Sequence, residues 1–104
     1  MNVENALEMV QAELSRAMKK FPTWPTDPLH ALVVYHEEKG ELDKAVLQLV
    51  YEPEKSSYKH VLEEAVRRAA MAVRFLVGLQ MYEFKPGHQH WQIGDAEPKE
   101  GPRG

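Results

Sequence analysis

The chain contains no cysteine among its 104 residues. This absence excludes a disulfide framework and any metal site built from thiolates. The chain also lacks a surplus of positive charge, because 16 Asp and Glu outnumber 13 Lys and Arg and give a net charge of −3. A protein that binds nucleic acid generally needs a basic surface. A nucleic acid polymer is therefore not an expected partner.

Long apolar runs are missing as well. No run approaches the roughly 20 residues that cross a bilayer, and residues 1–5 lack the basic start and apolar stretch of a signal peptide. We therefore expect a cytoplasmic protein that does not contact a membrane. A length of 104 residues fits one domain, and 43% hydrophobic with 28% charged residues is typical of a globular chain.

Apolar side chains recur at three- and four-residue steps and predict the first two of three helices. The first helix covers about residues 2–20 and is stopped by Pro22. The second has a clear beginning, because Asp27 can cap the free amides and Pro28 occupies the first helical position. It continues to about residue 51.

The third helix is predicted to begin after a cap at Ser56 or Ser57 and to continue to about residue 84. Beyond it the chain is rich in proline and glycine. We therefore expect an all-α fold, with residues 1–84 forming a bundle of three main helices and residues 85–104 forming an irregular tail.

Glutamates occupy positions within the apolar faces of two of these helices. At 100° per residue, Glu38 falls in the middle of the apolar stripe of the second helix, with Glu41 one turn further and Glu37 at the edge. Glu64 takes the same place on the third helix. Burying an unpaired carboxylate costs several kcal/mol, so these positions call for a cation or for protonation.

Two interpretations of the acids remain open at this point. In one, Glu38, Glu41 and Glu64 converge on one or two hard cations, and Mg²⁺ suits such oxygen ligands. In the other, the acids are partly exposed and pair with basic side chains, for which the nearest candidates are Lys44, Arg67 and Arg68. Trp24 in the proline-rich loop also has two readings, since it can stack on a nucleobase or simply pack the loop onto the helices.

The third helix is apolar on two opposite faces, so it has to be sandwiched between partners. Three helices from one short chain are too few to cover both faces. The sequence therefore predicts that the bundle is completed by oligomerisation, as a homodimer or homotetramer.

Three stretches carry a resemblance to a known family. They are Phe-Pro-Thr-Trp-Pro-Thr-Asp-Pro-Leu-His-Ala at 21–31, Glu-Glu-Lys-Gly-Glu-Leu at 37–42, and Glu-Glu-Ala-Val-Arg-Arg-Ala-Ala-Met-Ala-Val-Arg-Phe-Leu at 63–76. This pattern resembles the MazG-like branch of the all-α nucleoside triphosphate pyrophosphatases, in particular the short phage and prophage-type members. The similarity extends over about residues 21–79. The first helix matches in placement only.

The resemblance implies an enzyme that cleaves the α–β phosphoanhydride of a nucleoside triphosphate to a monophosphate and pyrophosphate. Its implied cofactor is Mg²⁺, bound by Glu38, Glu41 and Glu64. Either Glu37 or Glu41 would orient the attacking water or take its proton. The candidate substrate-binding residues are Lys44, Arg67, Arg74 and Trp24.

One position departs from the family pattern. Members typically carry Glu-x-x-Asp on the third helix, and the position of that aspartate holds Arg67 here. An arginine cannot ligate a cation, although its planar guanidinium suits a phosphate. The alternative to an enzyme is therefore a catalytically degenerate helical module that binds a nucleotide or a protein. A purely structural oligomer is a third possibility.

Overall fold

A computed structural model of the chain describes residues 1–83. It contains three α-helices: α1 at Val3–Lys20, α2 at Pro28–Tyr51 and α3 at Tyr58–Val77. Short 3₁₀ turns follow α2 at Pro53–Lys55 and α3 at Leu79–Met81. Within these residues there is no β-strand. The predicted all-α class and the three main helices are therefore confirmed.

Each helix begins with a capping side chain that the local sequence supplies. Asn2 Oδ1 accepts from the Asn5 amide at 2.8 Å, and Asp27 Oδ1 accepts from the Leu29 amide at 2.9 Å. Ser57, rather than Ser56, caps α3. The Ser56 hydroxyl instead donates to the Ala45 carbonyl at 2.9 Å and ties this connection to α2. These caps satisfy amides that lack a partner within the helix.

The third helix ends at Val77, seven residues before the predicted end near residue 84. The prediction was wrong, because the helix stops at its C-cap Gly78, where the Trp24 indole of the proline-rich loop packs. The Trp24 indole packs so closely on Gly78 that an added Cβ there would lie 3.0 Å from Trp24 Cδ1. The chain then turns, and the Glu83 amide donates to the Thr26 carbonyl at 2.9 Å. The tail predicted at 85–104 lies outside the described residues.

Helix α3 lies between the other two helices, and among residues 1–83 no Cα atom of α1 comes within 8 Å of one in α2. The prediction that α3 is sandwiched is confirmed, and α1 and α2 of the same chain are its neighbours. Leu76 and Val77 of α3 stay 67% and 70% exposed, so completion of the bundle by a second copy stays a prediction.

The hydrophobic core of the single chain is small. The buried apolar side chains of the described part are four small alanines and one tyrosine, which are Ala17, Ala31, Ala45, Ala70 and Tyr82. Small side chains let helices approach closely, but they bury little apolar area. The radius of gyration is 16.6 Å, against roughly 12–13 Å for a compact domain of this length. Much apolar surface therefore stays exposed on the helices.

Candidate functional site

Glu64 is the most deeply placed acidic residue of the described chain, with 4% of its surface exposed. Its position follows from the periodicity of α3, as the sequence predicts. Its carboxylate is not alone, because Arg67, one turn along the same helix, donates from Nη1 to Glu64 Oε1 at 2.9 Å. The open interpretation in which the acids pair with basic side chains is thus realised for Glu64.

Glu38 of α2 is half-buried and lies within the electrostatic influence of Glu64. Burial raises the pKa of the Glu38 carboxyl above its usual range, and the negative charge of Glu64 raises it further. Arg67 acts in the opposite direction, while Glu41 and Glu13 add smaller contributions that raise the pKa. The helix pair therefore brings acids from α2 and α3 together, and the local field favours an added cation.

The other sequence candidates on α2 are exposed. Glu37, Glu41 and Lys44 all face solvent in the single chain, and Glu41 is near enough for its charge to act on Glu38. Within residues 1–83, no three acidic or histidine side chains are grouped closely enough to hold a metal ion by themselves. The charges of both Glu64 and Glu41 act on Glu38, and that of Glu64 acts more strongly. The convergence of the three acids on one cation stays a prediction.

This donor set can be tested against the requirements of Mg²⁺. The ion keeps several waters and is commonly held by one or two carboxylates together with the phosphates of a substrate. Glu38 and Glu64 can supply two such carboxylates. The pKa of Glu38 is raised first by burial and second by the charge of Glu64, and a cation would offset this second contribution. The set fits a single phosphate-bound Mg²⁺. It does not fit a metal site made of protein ligands alone.

A pocket of about 490 Å³ opens beside the acids, between α1, α3 and the loop that connects α1 to α2. Glu38 and Arg67 form part of its wall, together with the apolar side chains Val34 and Met71. Its volume is within the range of small-molecule sites. The polar lining consists mainly of four cationic side chains and two carboxylates, which are Arg16, Lys20, Arg67, Arg74, Glu13 and Glu38.

Helix α1 supplies three of these lining side chains, and the sequence analysis did not assign them. Arg16 donates from Nε to Glu13 Oε1 at 2.8 Å, and this bond is the main reason why the pKa of Glu13 is lowered. Glu13, Arg16 and Lys20 are spaced by three and four residues around the buried Ala17. That spacing places the three side chains on one helical face. It is the feature of the sequence from which their common position could have been predicted.

Arg74 and Trp24, both candidate substrate-binding residues, form a single packed unit. Arg74 is 8% exposed and donates from Nη2 to the Phe21 carbonyl at 2.9 Å. Its guanidinium lies 4.8 Å from the centre of the Trp24 ring. The Trp24 indole N–H donates to Tyr82 Oη at 2.8 Å. Trp24 therefore packs the loop onto the helices, while both side chains also border the pocket.

No family model matches the chain, and neither a curated protein nor a solved structure is similar enough to indicate a relative. Residues 1–83 define an all-helical fold with a buried, arginine-paired glutamate on α3 and a largely cationic pocket whose wall includes Glu38. In the described part of the chain, the helices are all too short or too polar to cross a membrane. The family resemblance carried by residues 21–79 remains a prediction.

Proposed function

We propose that the protein is a MazG-like, Mg²⁺-dependent nucleotide pyrophosphohydrolase that acts in the cytoplasm. It would cleave a nucleoside triphosphate between the α and β phosphates. The observation that carries this proposal is the half-buried Glu38, whose pKa is raised by burial and by the charge of the buried Glu64, at the wall of a 490 Å³ pocket with four cationic side chains. Paired acids next to basic groups suit a metal-bound polyphosphate.

The roles of the residues follow from their positions. Glu38 and Glu64 would hold Mg²⁺, with Glu41 approaching from one turn along α2. When bound, the ion supplies charge neutralisation on the phosphates and a lowered pKa for an attacking water. Glu37 or Glu41, both exposed on α2, would orient that water.

The basic and aromatic candidates would contact the substrate. Arg67 and Arg74 border the pocket and have the guanidinium geometry that matches phosphate oxygens. Lys44 is exposed on α2, near the C-terminal side of Glu41. Trp24 borders the pocket and presents an aromatic ring on which a nucleobase could stack.

The proposal includes a homodimer or homotetramer, and the outer face of α2 supports it. Six apolar side chains share that face at 100° per residue and are exposed, namely Leu29, Leu32, Val33, Leu47, Val50 and Tyr51. Gly40 lies among them, and an added Cβ there would meet nothing within 4 Å. A large exposed apolar patch on a small domain is typical of an association surface.

One observation favours the alternative, a catalytically degenerate module that binds a nucleotide or a protein partner. The guanidinium of Arg67 already neutralises Glu64 at 2.9 Å, so a cation has to compete for this carboxylate. In that case the pocket would bind a ligand without turning it over.

The test is to incubate the purified protein with canonical and modified nucleoside triphosphates and Mg²⁺, and to measure pyrophosphate release. We expect release from at least one nucleotide and its loss in Glu38→Gln and Glu64→Gln. Glu63→Gln is the matched control, because Glu63 neighbours Glu64 but is exposed and lies 3.9 Å from Lys59. Absence of release from every nucleotide would contradict the proposal.

Arg67→Asp separates the two candidate functions. If the native chain is degenerate at this position, the substitution should create or increase pyrophosphate release and tighten Mg²⁺ binding. If Arg67 contacts the substrate in an active enzyme, the same substitution should lower the release. Equal activity in both chains would exclude a role for Arg67 in either function.

A further inference from the structure

Arg74 is a buried cation whose contacts within residues 1–83 are all neutral. Its Nη2 donates to the carbonyls of Phe21 at 2.9 Å and Thr23 at 3.4 Å, and its guanidinium lies on the Trp24 ring. No carboxylate of the described chain lies within ion-pair distance of it. Buried charges are normally paired with an opposite charge, because desolvation is expensive.

The other two arginines of the pocket differ from Arg74 in this respect. Arg16 is paired with Glu13, and Arg67 is paired with Glu64. Their positive charges are therefore largely offset by groups that the chain itself provides. Within residues 1–83, the charge of Arg74 is offset only by the Trp24 ring and by carbonyl dipoles, among them the C-terminal end of α1, which carries roughly half a negative charge.

Lys20 adds a second positive charge at the same end of the pocket. It is the last residue of α1 and precedes Phe21, whose carbonyl binds Arg74. Its Nζ lies 5.4 Å from the centre of the Phe21 ring, and among residues 1–83 it forms no ion pair. Two cations without a carboxylate partner in the described part of the chain thus border one cavity.

We infer that Arg74 and Lys20 form an anion subsite that binds a phosphate or pyrophosphate group at the α1 end of the pocket. Arg74 is pre-positioned by its bonds to the loop, so that little side-chain entropy is lost when a phosphate binds. Lys20 is flexible and contributes a strongly hydrated point charge. The inference deepens the proposed function and rests on it for the identity of the ligand, since the polyphosphate would extend from the acids to this end of the pocket.

The probe is inorganic pyrophosphate, and binding to the full chain is measured by calorimetry in buffer with a chelator. We expect Lys20→Gln to weaken binding by roughly fivefold, the scale of one solvent-exposed charge contact. Lys19→Gln is the matched control, because Lys19 is equally charged, adjacent and exposed but does not border the pocket. An equal loss of pyrophosphate affinity in both variants would show a general effect of positive charge rather than a specific subsite, and would overturn the inference.

Arg74 is tested by two substitutions of different kind. Arg74→Gln removes the charge and should weaken pyrophosphate binding by about tenfold or more. Arg74→Lys keeps the charge and should retain part of the pyrophosphate affinity. If Arg74→Gln does not fold, the comparison of Lys20 with Lys19 decides. Undetectable binding to the native chain, or native affinity in a folded Arg74→Gln, would contradict the subsite.

The outcome for the subsite is independent of the outcome for catalysis. Pyrophosphate binding without hydrolysis of any nucleotide would support the subsite and count against the enzyme. Hydrolysis combined with unchanged pyrophosphate affinity in Lys20→Gln and Arg74→Gln would support the enzyme and overturn the subsite.

Discussion

The Arg67 guanidinium lies 2.9 Å from the buried carboxylate of Glu64, and it provides the positive charge that allows this acid to remain inside the bundle. The pair is asymmetric, since 45% of the Arg67 side chain is exposed but only 6% of the Glu64 side chain. Losing the arginine therefore leaves an acid in the interior, whereas losing the acid leaves an arginine that water can solvate.

We expect Arg67→Gln to lower the free energy of unfolding by about 1–3 kcal/mol, the scale for a buried charged group left without its partner. The value is below that of a fully buried pair, because the exposed arginine is partly screened by water. Urea denaturation at neutral pH without divalent cations measures it. The double variant Arg67→Gln with Glu64→Gln should recover much of the loss.

The control for this prediction is Lys59→Gln on the same helix, which removes an equal charge whose side chain is 84% exposed and should change stability by less than about 0.5 kcal/mol. Equal losses in Arg67→Gln and Lys59→Gln would show that Glu64 does not depend on its partner.

Glu38 gives a prediction about pH. Burial and the charge of Glu64 raise its pKa, so the ionised carboxylate opposes folding at neutral pH. As the pH falls through the raised pKa, the folded state is protonated first, and the penalty is gone below the unfolded value of about 4.5. In a chelating buffer, Glu38→Gln should therefore raise the melting temperature at pH 7.5 by a few degrees, and by little at pH 4.

Glu37→Gln is the matched control for Glu38, because Glu37 is the exposed neighbour on α2. It should leave the melting temperature nearly unchanged at both pH values. A Glu38→Gln chain that melts lower than the native chain at pH 7.5 would mean that the carboxylate is stabilised by contacts rather than strained by burial.

The parts of the fold that follow from local chemistry could be predicted from the sequence. Asp27 with Pro28 marks the start of α2, and Ser57 starts α3, because a cap acts on amides two or three residues away. The inward position of Glu64 follows from helical periodicity alone. The basic partner of Glu64 was among the candidates, since Arg67 is only three residues away.

The remaining features depend on contacts between distant parts of the chain. Helix α3 ends at Gly78, and the Trp24 side chain that packs against this glycine comes from 54 positions earlier in the sequence. The contribution of α1 to the pocket depends on how this helix lies on α3, and periodicity gives the face of a helix but not the partner of that face. Lys20 was missed for this reason.

The Trp24–Tyr82 hydrogen bond gives a prediction about the loop. Tyr82 Oη accepts from the Trp24 indole at 2.8 Å and donates to the Phe75 carbonyl at 3.2 Å. Tyr82→Phe keeps the ring but removes both bonds, so it should cost about 1–3 kcal/mol of unfolding free energy. A double-mutant cycle with Trp24→Phe should give a coupling energy of at least about 0.5 kcal/mol. Strict additivity of the two substitutions would exclude the bond.

The outer face of α2 gives a prediction about assembly. Leu47 is 56% exposed in the single chain and is one of the apolar side chains that we propose as an association surface. If a second copy covers this face, a charge at this position must be desolvated without a partner, which costs several kcal/mol. We expect sedimentation to show a dimer or tetramer for the native chain and a shift towards monomer for Leu47→Glu.

Leu7→Glu is the matched control, because Leu7 is 62% exposed but lies on α1. Dissociation by Leu7→Glu together with an intact Leu47→Glu oligomer would move the interface to α1, and a monomeric native chain would exclude association through either face.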